Sequence, residues 1–269
     1  MQTLFSLITF GLYITTTILV ITRLKKRARG DNMDRTYILL FWAIAIVLHT
    51  VVLLQRIVMP DGLNLQFFNA LSIVALLVAT ILFGATIRHP LENLAIVVLP
   101  TTALSLILDQ AVQQNAVIAA SADRALQFHI LISLLAFSLL SIAVLQALLL
   151  AIQDRHLHNH HPGGLIRALP PLQLMENLLF QLITVGFLLL SVALLSGFLF
   201  LEDIFAQHLV HKTILSCVAW LIFATLLGGR WQFGWRGRTA IRWTLGGGIV
   251  LLLAYFGSKL VLELILQRT

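Results

Sequence analysis

The sequence predicts an all-α fold: a polytopic transmembrane helix bundle of about eight spans, with both termini on the periplasmic side. Three observations predict it. The chain is 59% hydrophobic and only 11% charged, too apolar for a soluble chain that must cover itself with polar groups. Its apolar runs recur from end to end, each about the length that crosses a ~30 Å hydrocarbon core as a helix. Its cations gather in alternate connections, which is the charge pattern of a membrane topology.

The runs lie near residues 3–22, 37–58, 67–87, 94–111, 126–152, 177–200, 213–229 and 243–266. The first is too long for a cleavable signal peptide, lacks a basic start and ends in Arg23, Lys25, Lys26, Arg27 and Arg29. The second carries His49 past its midpoint. The fourth contains Pro100, which predicts a kink, and Asp109 near its outer end, where it is expected at the interface. The fifth opens with His129 in "LQFHILISLL". The sixth holds Ser191, Ser196 and Gly197, small residues suited to helix contact. The seventh contains Cys217, the single cysteine, which excludes an intrachain disulfide and a CxxC redox motif. The eighth holds Gly246, Gly247, Gly248 and Gly257, which predict close helix packing. Residues 1–269 read as one integral membrane domain, without a soluble insert long enough to fold alone.

Of the 18 Lys and Arg residues, thirteen fall on the side of the first connection: Arg23, Lys25, Lys26, Arg27, Arg29, Arg35, Arg88, Arg155, Arg167, Arg230, Arg236, Arg238 and Arg242. Five fall opposite: Arg56, Arg124, Lys212, Lys259 and Arg268. The first set is then cytoplasmic, and a bacterial inner membrane is the expected location. The net charge of +7 is a topology signal and not a nucleic-acid footprint; the bilayer is the partner it implies.

This orientation gathers three histidines at the outer boundary: His129, and His208 and His211 in "QHLVHKTILS". A buried histidine is as a rule hydrogen-bonded between helices, yet an ionisable group at membrane depth is also a functional candidate. Two neutral imidazoles from two helices can approach a haem iron from opposite faces. His208 and His211 share one helical face by their spacing, so only one pairs with His129, and His211 is preferred. With Fe–N bonds of about 2 Å, the paired nitrogens of a loaded site lie roughly 4 Å apart. The tract "HLHNHHP" at 156–162 reads as a solvated cytoplasmic loop and, less well, as a metal tract. In "RWQFGWRGRTAIR", Arg236 and Arg238 are weaker candidates for anion contacts, haem propionates or lipid headgroups, and Trp231, Trp235 and Trp243 suit an interfacial belt. Walker, GxSxG and HExxH motifs are absent.

The runs "FHILISLLAFSLLSIAVLQALLL", "MENLLFQLITVGFLLLSVALLSGFLF" and "HKTILSCVAWLIFATLL" resemble the membrane core of the cytochrome c assembly family, of the CcsA, CcmC and CcmF type. The ending "GWRGRTAIRWTLGGGIVLLLAYFGSKLVLELIL" is similar to its YpjD-type inner-membrane branch. The resemblance covers about residues 126–266. It implies a membrane protein that binds or conveys haem b near the periplasmic face, assists cytochrome c assembly and works beside other membrane assembly factors. It implies that His129 matches the first outer-face histidine of the family, and that His49 is a transmembrane haem-contacting or channel histidine. The chain departs from the family at "LEDIFAQHLVHKT", which has no tryptophan where the family carries a tryptophan-rich loop of the "WGxxWxWDPKE" kind. His211 is therefore a substitute ligand, and covalent haem attachment is not expected. The alternative is a non-catalytic accessory or transporter subunit, for example in divalent-cation homeostasis, that keeps the scaffold without haem.

Overall fold

The computed structural model describes residues 2–31, 33–59, 62–64, 66–89, 91–111, 118–119, 124–158, 169–200 and 207–257. Among them, eight helices are long and apolar enough to cross a membrane. They are α1 (Gln2–Ala28), α2 (Thr36–Ile57), α3 (Phe67–Arg88), α4 (Ala95–Ala111, entered through a 3-10 turn at Glu92–Leu94), α5 (Arg124–His158), α6 (Leu172–Phe200), α7 (Gln207–Phe233) and α8 (Gly237–Leu252). A π-helical turn, Leu253–Gly257, follows α8. Each helix falls on one of the eight apolar runs, because a backbone in hydrocarbon has no water to bond and must satisfy itself within the helix. α4 runs through Pro100 without ending.

The chain divides into two compact units, one of Met1–Ala120 with His156–Pro170 and one of Ser121–Arg155 with Pro171–Thr269.

In the first unit α1 packs on α2 and α4, and α3 packs on the same two helices. The apolar core holds Trp42, Leu82, Leu99 and Leu106, all fully buried. Polar side chains are buried among them, and most are satisfied locally. Thr9, Thr16, Thr17, Thr86 and Thr102 each donate a hydroxyl proton to the carbonyl four residues back, at 2.6–2.8 Å. At one end Glu92 accepts from both Arg23 and Arg35, while Arg35 donates to the Ile87 carbonyl at 3.1 Å. That clasp joins the α1–α2 connection to the α3–α4 connection. Beside it Asp34 accepts from the Thr36 N–H at 3.1 Å and its hydroxyl at 2.9 Å. These two bonds to the start of α2 hold the Asp34 carboxyl below the usual carboxylate range. At the opposite end two-residue strands β1 (Val58–Met59), β2 (Gly62–Leu63) and β3 (Ile118–Ala119) pair antiparallel in that order, Val58 with Leu63 and Gly62 with Ala119. The α2–α3 and α4–α5 connections therefore share this end. Here Asp109, 1% exposed, pairs with Arg56 at 3.2 Å. It is buried among the helices of this unit, and the guanidinium offsets part of its desolvation.

In the second unit α7 packs on α6 and α8. Gln146 of α5 donates to the Met175 carbonyl of α6 at 3.1 Å, and Trp220 of α7 donates to Ser191 of α6 at 2.8 Å. Glycine makes the close approaches. A Cβ on Gly247 would meet Phe223 at 2.9 Å, and one on Gly248 would overlap Val144 of α5. Gly257, expected to share this role, meets only Leu253 of its own turn, at 3.7 Å. The π turn rotates Gly257 relative to the glycine triplet, which a regular helical register does not foresee. At one end Arg230 pairs with Glu176 at 3.0 Å and covers the Phe180 ring, while Arg238 pairs with Asp154 at 3.0 Å. Gly234 and Gly237, with φ of 67° and 53°, turn the chain between α7 and α8 so that Trp235 stacks on Trp243 at 5.6 Å.

Candidate functional site

The opposite end of the second unit carries the candidate site. His129 sits in the first turns of α5, and its Nδ1 lies 2.9 Å from the Oγ of Ser196 near the end of α6. Ser196 has one proton, and it donates that proton to the Ala193 carbonyl at 2.9 Å. The hydroxyl oxygen is then left to accept, so Nδ1 of a neutral His129 carries the hydrogen and Nε2 carries the lone pair. Among the described residues no hydrogen bond to Nε2 is formed. A histidine fixed through one ring nitrogen, with the other bare, has the form of a metal ligand oriented by a hydrogen-bonding neighbour.

The Lys212 ammonium, near the start of α7, stands 5.1 Å from the centre of the Tyr255 ring. Tyr255 in turn stacks on Phe137 of α5 at 4.9 Å, and Phe256 meets Phe137 edge-on at 5.4 Å. Tyr255 and Phe256 both belong to the π-helical turn, a distortion that recurs at functional sites because it re-aims side chains. His211, one residue before Lys212, is exposed on α7. His208 lies in the first turn of α7, but its side chain is outside the described residues, as is the preceding 201–206 segment.

His49 has different surroundings. It is 0% exposed inside the first unit. Its Nδ1 is 3.2 Å from the Tyr13 hydroxyl and its Nε2 is 3.0 Å from the Ser72 hydroxyl. Both nitrogens are thus engaged, and the ring ties α2 to α1 and α3. Of the two arginines singled out in the sequence, Arg236 is exposed and Arg238 is paired with Asp154. In the "HLHNHHP" tract His156 is exposed, and the side chains of residues 157–162 lie outside the described residues. Among the described residues no group of three or more His, Cys, Asp or Glu side chains gathers to hold a metal ion.

Ser196, Lys212 and Tyr255 are not legible as site residues in the sequence. Ser196 reads as a packing residue and Lys212 as a topology charge. The Ser196–His129 and Lys212–Tyr255 contacts depend on helix rotation, for which a single sequence carries no spacing signal.

The profile of the family described as "Cytochrome C assembly protein" matches residues 36–266. The chain belongs to that family. The match starts at α2, well before the stretch in which the motif resemblance is concentrated, and so takes in His49. The inner membrane protein YpjD of Escherichia coli (strain K12) is 33% identical over 225 residues, 82% of this chain and 85% of that protein. The cytochrome c biogenesis protein CcsA of Synechococcus sp. (strain CC9311) is 31% identical over 91 residues, 33% of this chain and 30% of that protein. No solved structure matches. The chain carries a histidine at position 129, and its 201–213 segment contains no tryptophan.

Proposed function

We propose that this protein binds haem at the periplasmic face of the bacterial inner membrane and presents it during cytochrome c assembly. The observation that carries the reading is the Ser196–His129 pair, which among the described residues leaves Nε2 without a hydrogen bond at the end of a transmembrane helix. Family membership supplies the ligand class, and the name of the Escherichia coli relative supports the membrane. The thirteen-to-five distribution of cations supports placing the His129 end outside. The donor suits haem as cargo: a neutral imidazole nitrogen can take the iron. Bound haem would supply the iron and the porphyrin; the chain orients them and shields them from water.

In this reading His129 is the first axial ligand, and His211, exposed one residue before Lys212, is the second. His49 serves the fold of the first unit, since neither of its nitrogens is free of a hydroxyl partner. The protein holds and positions haem and performs no acid–base step.

The test is the absorption spectrum of the purified, detergent-solubilised protein titrated with haemin. A saturable Soret band that His129→Ala abolishes, with helical content unchanged, is the expected result. A wild-type protein without that band overturns the reading and leaves the scaffold-only accessory as the better one.

A further inference from the structure

The end of the second unit away from His129 carries a tightly built turn. α7 ends at Phe233 and α8 starts at Gly237, and hydrogen bonds fix the residues between them. The Trp235 N–H donates to the Gly229 carbonyl at 3.2 Å, Arg230 donates to the Trp235 carbonyl at 3.2 Å, and the Gly237 N–H donates to Glu176 at 3.4 Å. Trp235 folds back so closely that a Cβ on Gly229 would overlap its ring. Phe233 stacks on Trp235 at 6.3 Å, and Trp235 stacks on Trp243 at 5.6 Å, so the rings form one row. Trp231 and Phe233 nevertheless stand 87% and 73% exposed.

The cations beside these rings are of two kinds. Arg230 and Arg238 are paired with Glu176 and Asp154. Arg236 and Arg242 are exposed, and among the described residues neither side chain has an ion-pair partner. Arg242 lies on the same face of α8 as the exposed Ile249 and Leu253, seven and eleven residues on. An exposed apolar face of a spanning helix meets acyl chains, and a cation at the end of that face stands at headgroup depth. A water-soluble anion would satisfy the arginines and leave the exposed rings in water. A zwitterionic lipid would cover the rings but bring its own cation to compete for the phosphate. A phospholipid of net negative charge satisfies both: phosphate on the guanidinium, and the chain–headgroup boundary against the rings.

We propose that the α7–α8 turn is a binding surface for an anionic phospholipid, with Arg236 and Arg242 as its headgroup contacts and Trp231 and Phe233 seated beside them in the leaflet. The stacked row and the hydrogen bonds of the turn hold this surface in shape before the lipid arrives, so little freedom is lost on binding. Arginine suits the role because its planar fork takes two phosphate oxygens at once. Arg238 is not part of the surface, since Asp154 already supplies its counter-charge. The surface is independent of the His129 end and of haem.

The experiment places the full chain in phosphatidylcholine nanodiscs. A rising share of the lipid is replaced by phosphatidylglycerol with brominated chains or, in parallel, by phosphatidylcholine with brominated chains. Bromine quenches nearby indoles, and the difference between wild type and Trp231→Phe isolates the signal of Trp231. Brominated phosphatidylglycerol is expected to half-quench Trp231 at a share roughly tenfold lower than brominated phosphatidylcholine, each arginine contributing a factor of up to about five. Arg236→Gln combined with Arg242→Gln should bring the two curves together; both side chains are exposed, so the fold is retained. Coincident curves in wild type, or a gap that survives the double substitution, overturn the headgroup contacts. Absence of quenching by either lipid overturns the whole surface and puts water or a protein partner on Trp231. Relief of the phosphatidylglycerol quenching by glycerol phosphate assigns the arginines to a soluble anion and overturns the lipid as their partner.

Discussion

Ser196 fixes the tautomer of His129. The hydroxyl gives its proton to the Ala193 carbonyl and takes one from Nδ1, both at 2.9 Å. Two helices are thereby joined through a side chain that also sets which ring nitrogen faces outward. If this pairing orients a ligand, Ser196→Ala should lower haem affinity about 10-fold to 100-fold, the usual cost of removing such an orienting partner. The Soret band should still appear at saturation, because the iron ligand itself remains. A titration that gives the wild-type affinity for Ser196→Ala would mean that the pair serves packing alone.

Tyr13 and Ser72 hold His49 from both sides at 3.2 and 3.0 Å, with no exposure of the ring. Tyr13→Phe removes one hydroxyl and leaves a buried ring nitrogen unpaired. The expected loss is about 1–3 kcal/mol of stability, read as an earlier thermal transition in detergent. Haem binding should be unaffected. A lost Soret band in Tyr13→Phe, with the fold retained, would make His49 a haem ligand after all.

Gly248 faces Val144 so closely that a Cβ there would overlap its side chain. Gly248→Leu should therefore cost about 1–3 kcal/mol through overpacking. A Cβ on Gly246 would meet nothing within 4 Å, and Gly246→Ala should be neutral or stabilising by up to about 1 kcal/mol through helix propensity. Melting curves of the two variants in one detergent decide the matter. Equal behaviour would show that α8 does not approach α5 through this residue.

Glu92 collects Arg23 and Arg35 and is only 12% exposed. Arg238 and Asp154 also pair, but at 63% and 35% exposure. Screening makes the second pair worth little, at most about 1 kcal/mol, whereas Glu92→Gln leaves two cations without their shared carboxylate. Glu92→Gln should lower the thermal transition clearly and Arg238→Gln hardly at all. The reverse order would show that the α1–α2 and α3–α4 connections are held by something other than this clasp.

The orientation is checked with reporters active on one side only. Fusions in the 23–35 and 230–242 connections should report the cytoplasm, and fusions after residue 57 and at the C-terminus should report the periplasm. A cytoplasmic C-terminus would move His129 and His211 to the other face and remove the basis for a periplasmic haem site.

The sequence by itself determined the eight spans, because the bilayer sets both the length of a crossing segment and the need for a helix. It also determined the family, through the runs after residue 126, and it singled out His129. Only the tertiary structure decided how the histidines differ. Whether a ring nitrogen is bare or bonded depends on which hydroxyl another helix turns toward it: Ser196, 67 residues from His129, or Tyr13, 36 residues from His49. The same holds for Lys212 beside Tyr255 and for Gly248, rather than Gly257, against a neighbouring helix. Hydropathy reports that a helix meets lipid and other helices, but not its rotation about its own axis. In a chain apolar on every face, that rotation is set by the few polar and small side chains that find partners across helices.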